Sequence, residues 1–261
     1  MREEEEFNGL SVRGTGRRLR HLGFRFILPS TVTVLALAAG ATAIRFALDG
    51  RFETAMMAIV VAGVLDGIDG SIARFLKAPT KFGAELDSLS DVVSFGVAPA
   101  VVLYLWALKD LKGGGWVIAL AFIVCCALRL ARFNSRLEND DEPRRKAGFL
   151  TGIPSPVAAG LGILPVMVAA EAGRGLLAAP ELVALYTALI CLGMVSKIPT
   201  YSFRTLLIRR EYLVHLLLVV GLFAATLTAY GWVPLIALGA FYWLSLPLSW
   251  FRFHRLSGAS R

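Results

Sequence analysis

Four aspartates, Asp66, Asp69, Asp87 and Asp91, stand within one 26-residue stretch of this chain. The stretch reads DGIDGSIAR, then FLKAPTKF, then GAELDSLSD, and apolar runs flank it on both sides. Carboxylates near bilayer depth are costly, roughly 2.5–3.5 kcal/mol each at a helix centre. Four together also repel, so protons or a cation must sit among them. Oxygen donors with no His or Cys nearby suit hard cations: Mg²⁺ or Mn²⁺, with Ca²⁺ as a third candidate. Two such ions held by shared carboxylates would clamp phosphoryl oxygens in an in-line displacement.

The spacing says what must position these groups. Asp66 and Asp69 are three apart and Asp87 and Asp91 four apart, so each pair shares one face of a helix. Pro79 lies between the pairs and favours a turn. The expectation is an antiparallel helical hairpin in which each helix presents two carboxylates to the other. Gly67 and Gly70 flank the first pair, and Gly83 precedes Asp87 by one turn; residues without side chains let a bulky ligand or a second backbone come close. Arg74 adds a cation one turn beyond Gly70, suited to phosphate. A solvated acidic loop would carry Lys and Glu where this stretch has Gly and Ser.

The whole chain fits that setting. Of its 261 residues 56% are hydrophobic and only 18% charged, with mean hydropathy +0.66. The apolar residues fall in blocks long enough to cross a bilayer as helices, about 20 residues each. The fold expected is an all-α integral membrane protein, a bundle of eight transmembrane helices. Their limits are 27–48, 53–74, 86–108, 115–135, 153–171, 178–197, 213–230 and 232–251. Residues 1–26 form a cytoplasmic N-terminal segment, partly a juxtamembrane amphipathic helix carrying Leu19, Leu22 and Phe26 at helical spacing. Residues 27–261 form one membrane domain. The run Glu3 to Glu6 is unlike the start of a signal peptide, so no cleaved leader is expected.

With eight spans, 22 of the 27 Lys and Arg residues fall on the side that holds both termini and the aspartates. Arg45, Arg51, Lys109, Lys112 and Arg174 make up the other side. This asymmetry predicts that both termini and the aspartate stretch face the cytoplasm. The net charge of +8 is therefore read as loops meeting anionic headgroups, not as a nucleic-acid surface, because the basic residues are scattered. Cys125, Cys126 and Cys191 lie inside apolar blocks and are expected as buried free thiols.

The pattern Asp66-x-x-Asp69-Gly70-x-x-Ala73-Arg74, eight residues, then Gly83-x-x-x-Asp87-x-x-x-Asp91 resembles the complete signature of the CDP-alcohol phosphotransferase family. The resemblance implies a metal-dependent membrane enzyme, usually a homodimer, that joins an alcohol to the phosphatidyl group of a CDP-linked lipid and releases CMP. It implies that Asp66, Asp69, Asp87 and Asp91 face two divalent cations. Asp91 is then the general base for the acceptor hydroxyl. Gly67, Gly70, Ala73, Arg74 and Gly83 would border the CDP-lipid.

The signature does not fix the acceptor. The stretch from Leu86 to Ala100, Arg129-Leu130-Ala131-Arg132-Phe133-Asn134 and Gly152-Ile153-Pro154-Ser155-Pro156 resemble the phosphatidylserine synthase branch of the family. That implies CDP-diacylglycerol and L-serine as substrates and phospholipid biosynthesis as the process, in the inner membrane if the cell is bacterial. The branch often has Leu-Pro-Asn in the first span and an Asn further along, where this chain has Leu28-Pro29-Ser30 and Ala36. Serine also needs a cation or helix N-terminal amides for its carboxylate. Arg129, Arg132 and Arg136 recur on one stripe of the fourth span, and Pro154 and Pro156 mark a helix start. The serine-binding candidates are Arg129, Arg132, Asn134, Pro154 and Ser155. Arg144, Arg145 and Lys146 read better as a headgroup-binding loop. Lys197, with Pro199, Tyr201 and Arg204, ends the sixth span, where contact with a lipid phosphate is the weaker of the two readings. The competing readings are a sister enzyme for choline, inositol or glycerol 3-phosphate, a divalent-cation transporter, and a structural scaffold. Against transport, no polar path leads from the carboxylates to the other face.

Overall fold

In a chain this apolar, backbone groups must pair within their own segment, and the computed structural model is accordingly built of helices. It describes residues 15–76, 81–137, 149–196, 199–201 and 213–258. Helix α1 (Thr15–Leu48) packs along α2 (Phe52–Leu76), the most extensive helix pairing among the described residues. Asp49-Gly50-Arg51 turn the chain between them, with Gly50 at φ 74° and the Arg51 N–H donating to Phe46 O at 2.8 Å. Helix α3 (Lys81–Asp91), a π-helical segment (Val92–Val97) and α4 (Ala98–Trp106) then run end to end. A 3₁₀ turn (Leu108–Leu111) leads to α5 (Gly113–Leu137). Helices α6 (Ser155–Gly162) and α7 (Leu164–Ala172) form one apolar stretch, followed by α8 (Pro180–Val195), α9 (Leu213–Tyr230) and α10 (Val233–Gly258).

Phe95, Leu103, Phe122, Leu161, Ile190 and Met194 fill the bundle centre and are buried. Large apolar residues also cover its outside: Leu35, Val61, Leu120, Leu128, Leu185, Leu192, Leu222 and Phe241 are all exposed. An apolar coat on helix after helix belongs in lipid, not water. The chain is an integral membrane protein.

Length and apolarity qualify five helical stretches as spans: Ser30–Leu48, Phe52–Ile72, Phe82–Trp106, Gly113–Ser135 and Ser155–Ala172. They match the first five expected spans. The expected sixth is α8, sixteen residues, or roughly 24 Å at the α-helical rise. The expected seventh and eighth bend through 110° between Tyr230 and Val233 and count as at most one further span by these criteria. The total is thus five or six among the described residues, against the eight expected.

Residues 15–26 are helical, where a juxtamembrane helix is expected, and run without a break into the first span, while residues 1–14 lie outside the described residues. Two local features are not expected from the sequence. A short antiparallel ribbon pairs β1 (Phe149–Thr151) with β2 (Pro199–Tyr201), Leu150 opposite Thr200. The π segment follows Asp91 directly. Pro99 supplies one cause, since it has no N–H to continue the ladder, and the Ala98 N–H reaches back five residues to Val93 O. The widened turn packs against α1. A Cβ on Gly40 would lie 2.8 Å from the Ser94 Cα, so only glycine lets the two backbones come this close.

Candidate active site

Asp66 and Asp69 occupy the last turns of α2, and Asp87 and Asp91 the second half of α3. One carboxylate oxygen from each of Asp66, Asp69 and Asp87 comes within 4.8 Å of the other two. Full charges at that separation repel by about 3.5 kcal/mol per pair at an effective dielectric of ~20. Asp69 is 5% exposed. It accepts from the Thr33 hydroxyl of α1 and from the Gly70 N–H, whereas its Oδ2 is buried and has no hydrogen-bond partner among the described residues. A buried carboxylate oxygen left over in a cluster of three oxygen-donor side chains fits a hard divalent cation.

Asp91 stands beside this cluster. Its carboxyl is within hydrogen-bonding reach of Asp66 and close enough to feel Asp69 and Asp87. The two serines nearest it on α3 and the π segment tie that strand of the hairpin to α1: Ser90 Oγ donates to Thr33 O and Ser94 Oγ to Ala36 O, each at 3.3 Å. All four aspartates are therefore held on two helices that share α1 as a common wall.

Gly67 and Gly70 are exposed, and a Cβ on either would meet no atom within 4 Å. Packing among the described residues does not require glycine at these positions, and the space beside them is open. Gly83 lies half-buried near the start of α3. Ala73 and Arg74 continue α2, but their side chains lie outside the described residues, as do Pro79, Arg144, Arg145, Lys146, Lys197 and Arg204 and the side chain of Arg136.

The remaining candidates come to the same end of the bundle from distant parts of the chain. Asn134 Nδ2 donates to Ser88 Oγ at 2.7 Å, joining α5 to the aspartate hairpin. Arg129 Nη1 donates to Ser155 Oγ at 2.8 Å, and Ser155 is fully buried at the start of α6, with Pro154 as its N-cap. Arg132 turns away: its Nη1 donates to Val195 O at 3.0 Å, at the C-terminus of α8, where a cation suits the helix dipole. The expected arginine stripe is thus divided between an inward and an outward task. Cys126 and Cys191 are buried, Cys125 is half-buried, and all three are free, as expected. The sequence reading missed Thr33. Its signal was the last of three hydroxyl residues, Ser30, Thr31 and Thr33, at the start of an apolar run just after Pro29.

Three carboxylates gathered from two consecutive helices of a membrane bundle define a class of membrane protein with an acidic cluster able to hold a divalent cation. Residues 26–194 match the CDP-alcohol phosphatidyltransferase family, and the chain belongs to it. The chain is 38% identical over 199 residues to the CDP-diacylglycerol–serine O-phosphatidyltransferase of Mycobacterium leprae, covering 76% of this chain and 66% of that protein. It is 36% identical over 143 residues to the Helicobacter pylori enzyme of the same name, 55% of this chain and 58% of that one. It is also 34% identical over 134 residues to the archaetidylserine synthase of Methanothermobacter thermautotrophicus, 51% of this chain and 54% of the relative. The chain thus spans about two thirds of the length of the mycobacterial relative and a little over half of the other two.

Proposed function

We propose that this protein transfers the phosphatidyl group of CDP-diacylglycerol to the hydroxyl of L-serine, giving phosphatidylserine and CMP. The observation that carries the reading is the position of Asp91. It adjoins the three-carboxylate cluster on one side and, through Cys126, the Arg129–Ser155 pair on the other. Relatives with different lipid portions in their names share serine in them, which supports serine as the acceptor.

Asp66, Asp69 and Asp87, with Asp91 at the edge, would hold divalent cations, two Mg²⁺ or Mn²⁺ ions, whose charge would polarise the phosphoryl oxygens and offset that developing on departing CMP. Asp91 takes the proton of the serine hydroxyl. The freed oxygen attacks the phosphorus that carries diacylglycerol, the bond from that phosphorus to the bridging oxygen breaks, and its electron pair leaves with CMP. Gly67, Gly70, Ala73, Arg74 and Gly83 border the CDP group. Arg129 meets the serine carboxylate, with Ser155, Pro154 and Asn134 shaping the same side and Arg132 holding α8 in place behind it.

Purified protein given CDP-diacylglycerol and Mg²⁺ or Mn²⁺ releases CMP when serine is added and not with glycerol 3-phosphate, inositol or choline. Release with one of those and none with serine rejects the assignment. The excess of basic residues on one side supports residues 1–26 as a cytoplasmic segment on a single membrane domain, 27–261, with the site facing the cytoplasm. Reporter fusions at both termini then read cytoplasmic; a terminus on the far side overturns the orientation. The protein works as a homodimer, the form implied by the family resemblance, and its mass in detergent is that of two chains, not one.

A further inference from the structure

Helix α10 lies beyond the residues that match the family, 26–194. It nevertheless brings a polar group to the acceptor side of the site. The Tyr242 hydroxyl is buried and has no hydrogen-bond partner among the described residues. Buried phenols normally find one. Its ring packs against the buried core, and the next residue fixes this turn of the helix. Trp243 Nε1 donates to Tyr186 Oη at 3.1 Å, and Tyr186 Oη donates to Leu161 O at 3.0 Å.

The Tyr242 hydroxyl is within electrostatic reach of the Arg129 guanidinium. Arg129 holds Ser155. The Cys126 thiol is within hydrogen-bonding reach of Ser155 and close enough to Asp91 to feel its charge. Side chains of α3, α5, α6 and α10 thus converge between the general base and a phenol whose hydroxyl serves no other group among the described residues.

We propose that Tyr242 is an acceptor-binding residue: its hydroxyl and the Arg129 guanidinium together receive the carboxylate of the amino-acid acceptor. The inference rests on the serine reading above. The guanidinium supplies the charge and the phenol a second donor, and one carboxylate has lone pairs enough for both. An amino alcohol without a carboxylate leaves the Tyr242 hydroxyl without an acceptor, and sites built this way reject such analogues.

The test is Tyr242→Phe in the full-length purified protein, assayed by CMP release with CDP-diacylglycerol and Mg²⁺. The KM for serine rises roughly 10-fold, the worth of one hydrogen bond to a charged group. The preference for serine over ethanolamine shrinks with it. The KM for CDP-diacylglycerol and kcat stay within about twofold, since the lost contact is uniform binding. The melting temperature does not fall, because the substitution removes no hydrogen bond within the described protein. An unchanged serine KM overturns the proposal, and so does a variant that loses its fold, which makes the hydroxyl a structural group. Serine-dependent CMP release by the unaltered protein is the control: if that is missing, the function assignment fails; if it is present and Tyr242→Phe behaves like it, only the role of Tyr242 fails.

Discussion

Under the proposed mechanism, Asp91→Asn lowers serine-dependent CMP release by about 10³-fold while the protein still responds to added Mg²⁺ or Mn²⁺. The amide keeps the shape of the side chain and removes its capacity to take a proton. Asp91 lies at the edge of the three-carboxylate group whose oxygens meet within 4.8 Å, so the change leaves those three carboxylates in place. The measurement is twofold: turnover by CMP release, and the shift in melting temperature on adding Mg²⁺ or Mn²⁺. The variant loses the first and keeps the second. Activity within about tenfold of the unaltered enzyme removes Asp91 from the role of general base.

Asp69→Asn gives the complementary pattern. Activity is lost to at least the same degree, about 10³-fold, and so is the response to metal. Asp69 is the most buried of the four, and its Oδ2 has no partner within the described protein. A ligand present at about 100 times its Kd stabilises the folded state by roughly 2.7 kcal/mol, or about 5 °C or more in melting temperature for a domain of this size. The unaltered protein shows that rise on metal addition and loses it to a chelator; Asp69→Asn shows neither. In chelator the order of stabilities reverses. The variant melts above the unaltered protein, because one of three mutually repelling carboxylates has gone. A variant that melts lower in chelator and still responds to metal assigns Asp69 to packing instead.

The aspartate hairpin could be read from the sequence because its parts are local. Spacings of three and four within one helix fix a shared face whatever the rest of the chain does. The first five spans were equally readable, since each is a long apolar run and the bilayer sets the minimum length. What escaped was decided by distant packing. Thr33 reaches Asp69 from another helix. The arginine stripe looked uniform along α5, but Arg129 meets Ser155 and Arg132 meets the end of α8, and nothing within α5 distinguishes the two. The ribbon of Phe149–Thr151 with Pro199–Tyr201 joins segments about fifty residues apart. The π segment needed the joint effect of Pro99 and the close approach to Gly40. The last two helices looked like two ordinary spans because apolarity alone carries no information about a 110° bend.

The Asn134–Ser88 and Arg129–Ser155 bonds have one more consequence. In the proposed reaction the phosphorus chemistry falls to one short cassette, residues 66–91, and acceptor choice to residues on three later helices, of which Asn134 is bonded to that cassette through Ser88. Headgroup preference can therefore drift, or be redesigned, by changing α5, α6 and α10 while the cassette stays untouched. A library confined to those helices should yield transferases for new alcohols that keep the parent enzyme's demand for metal.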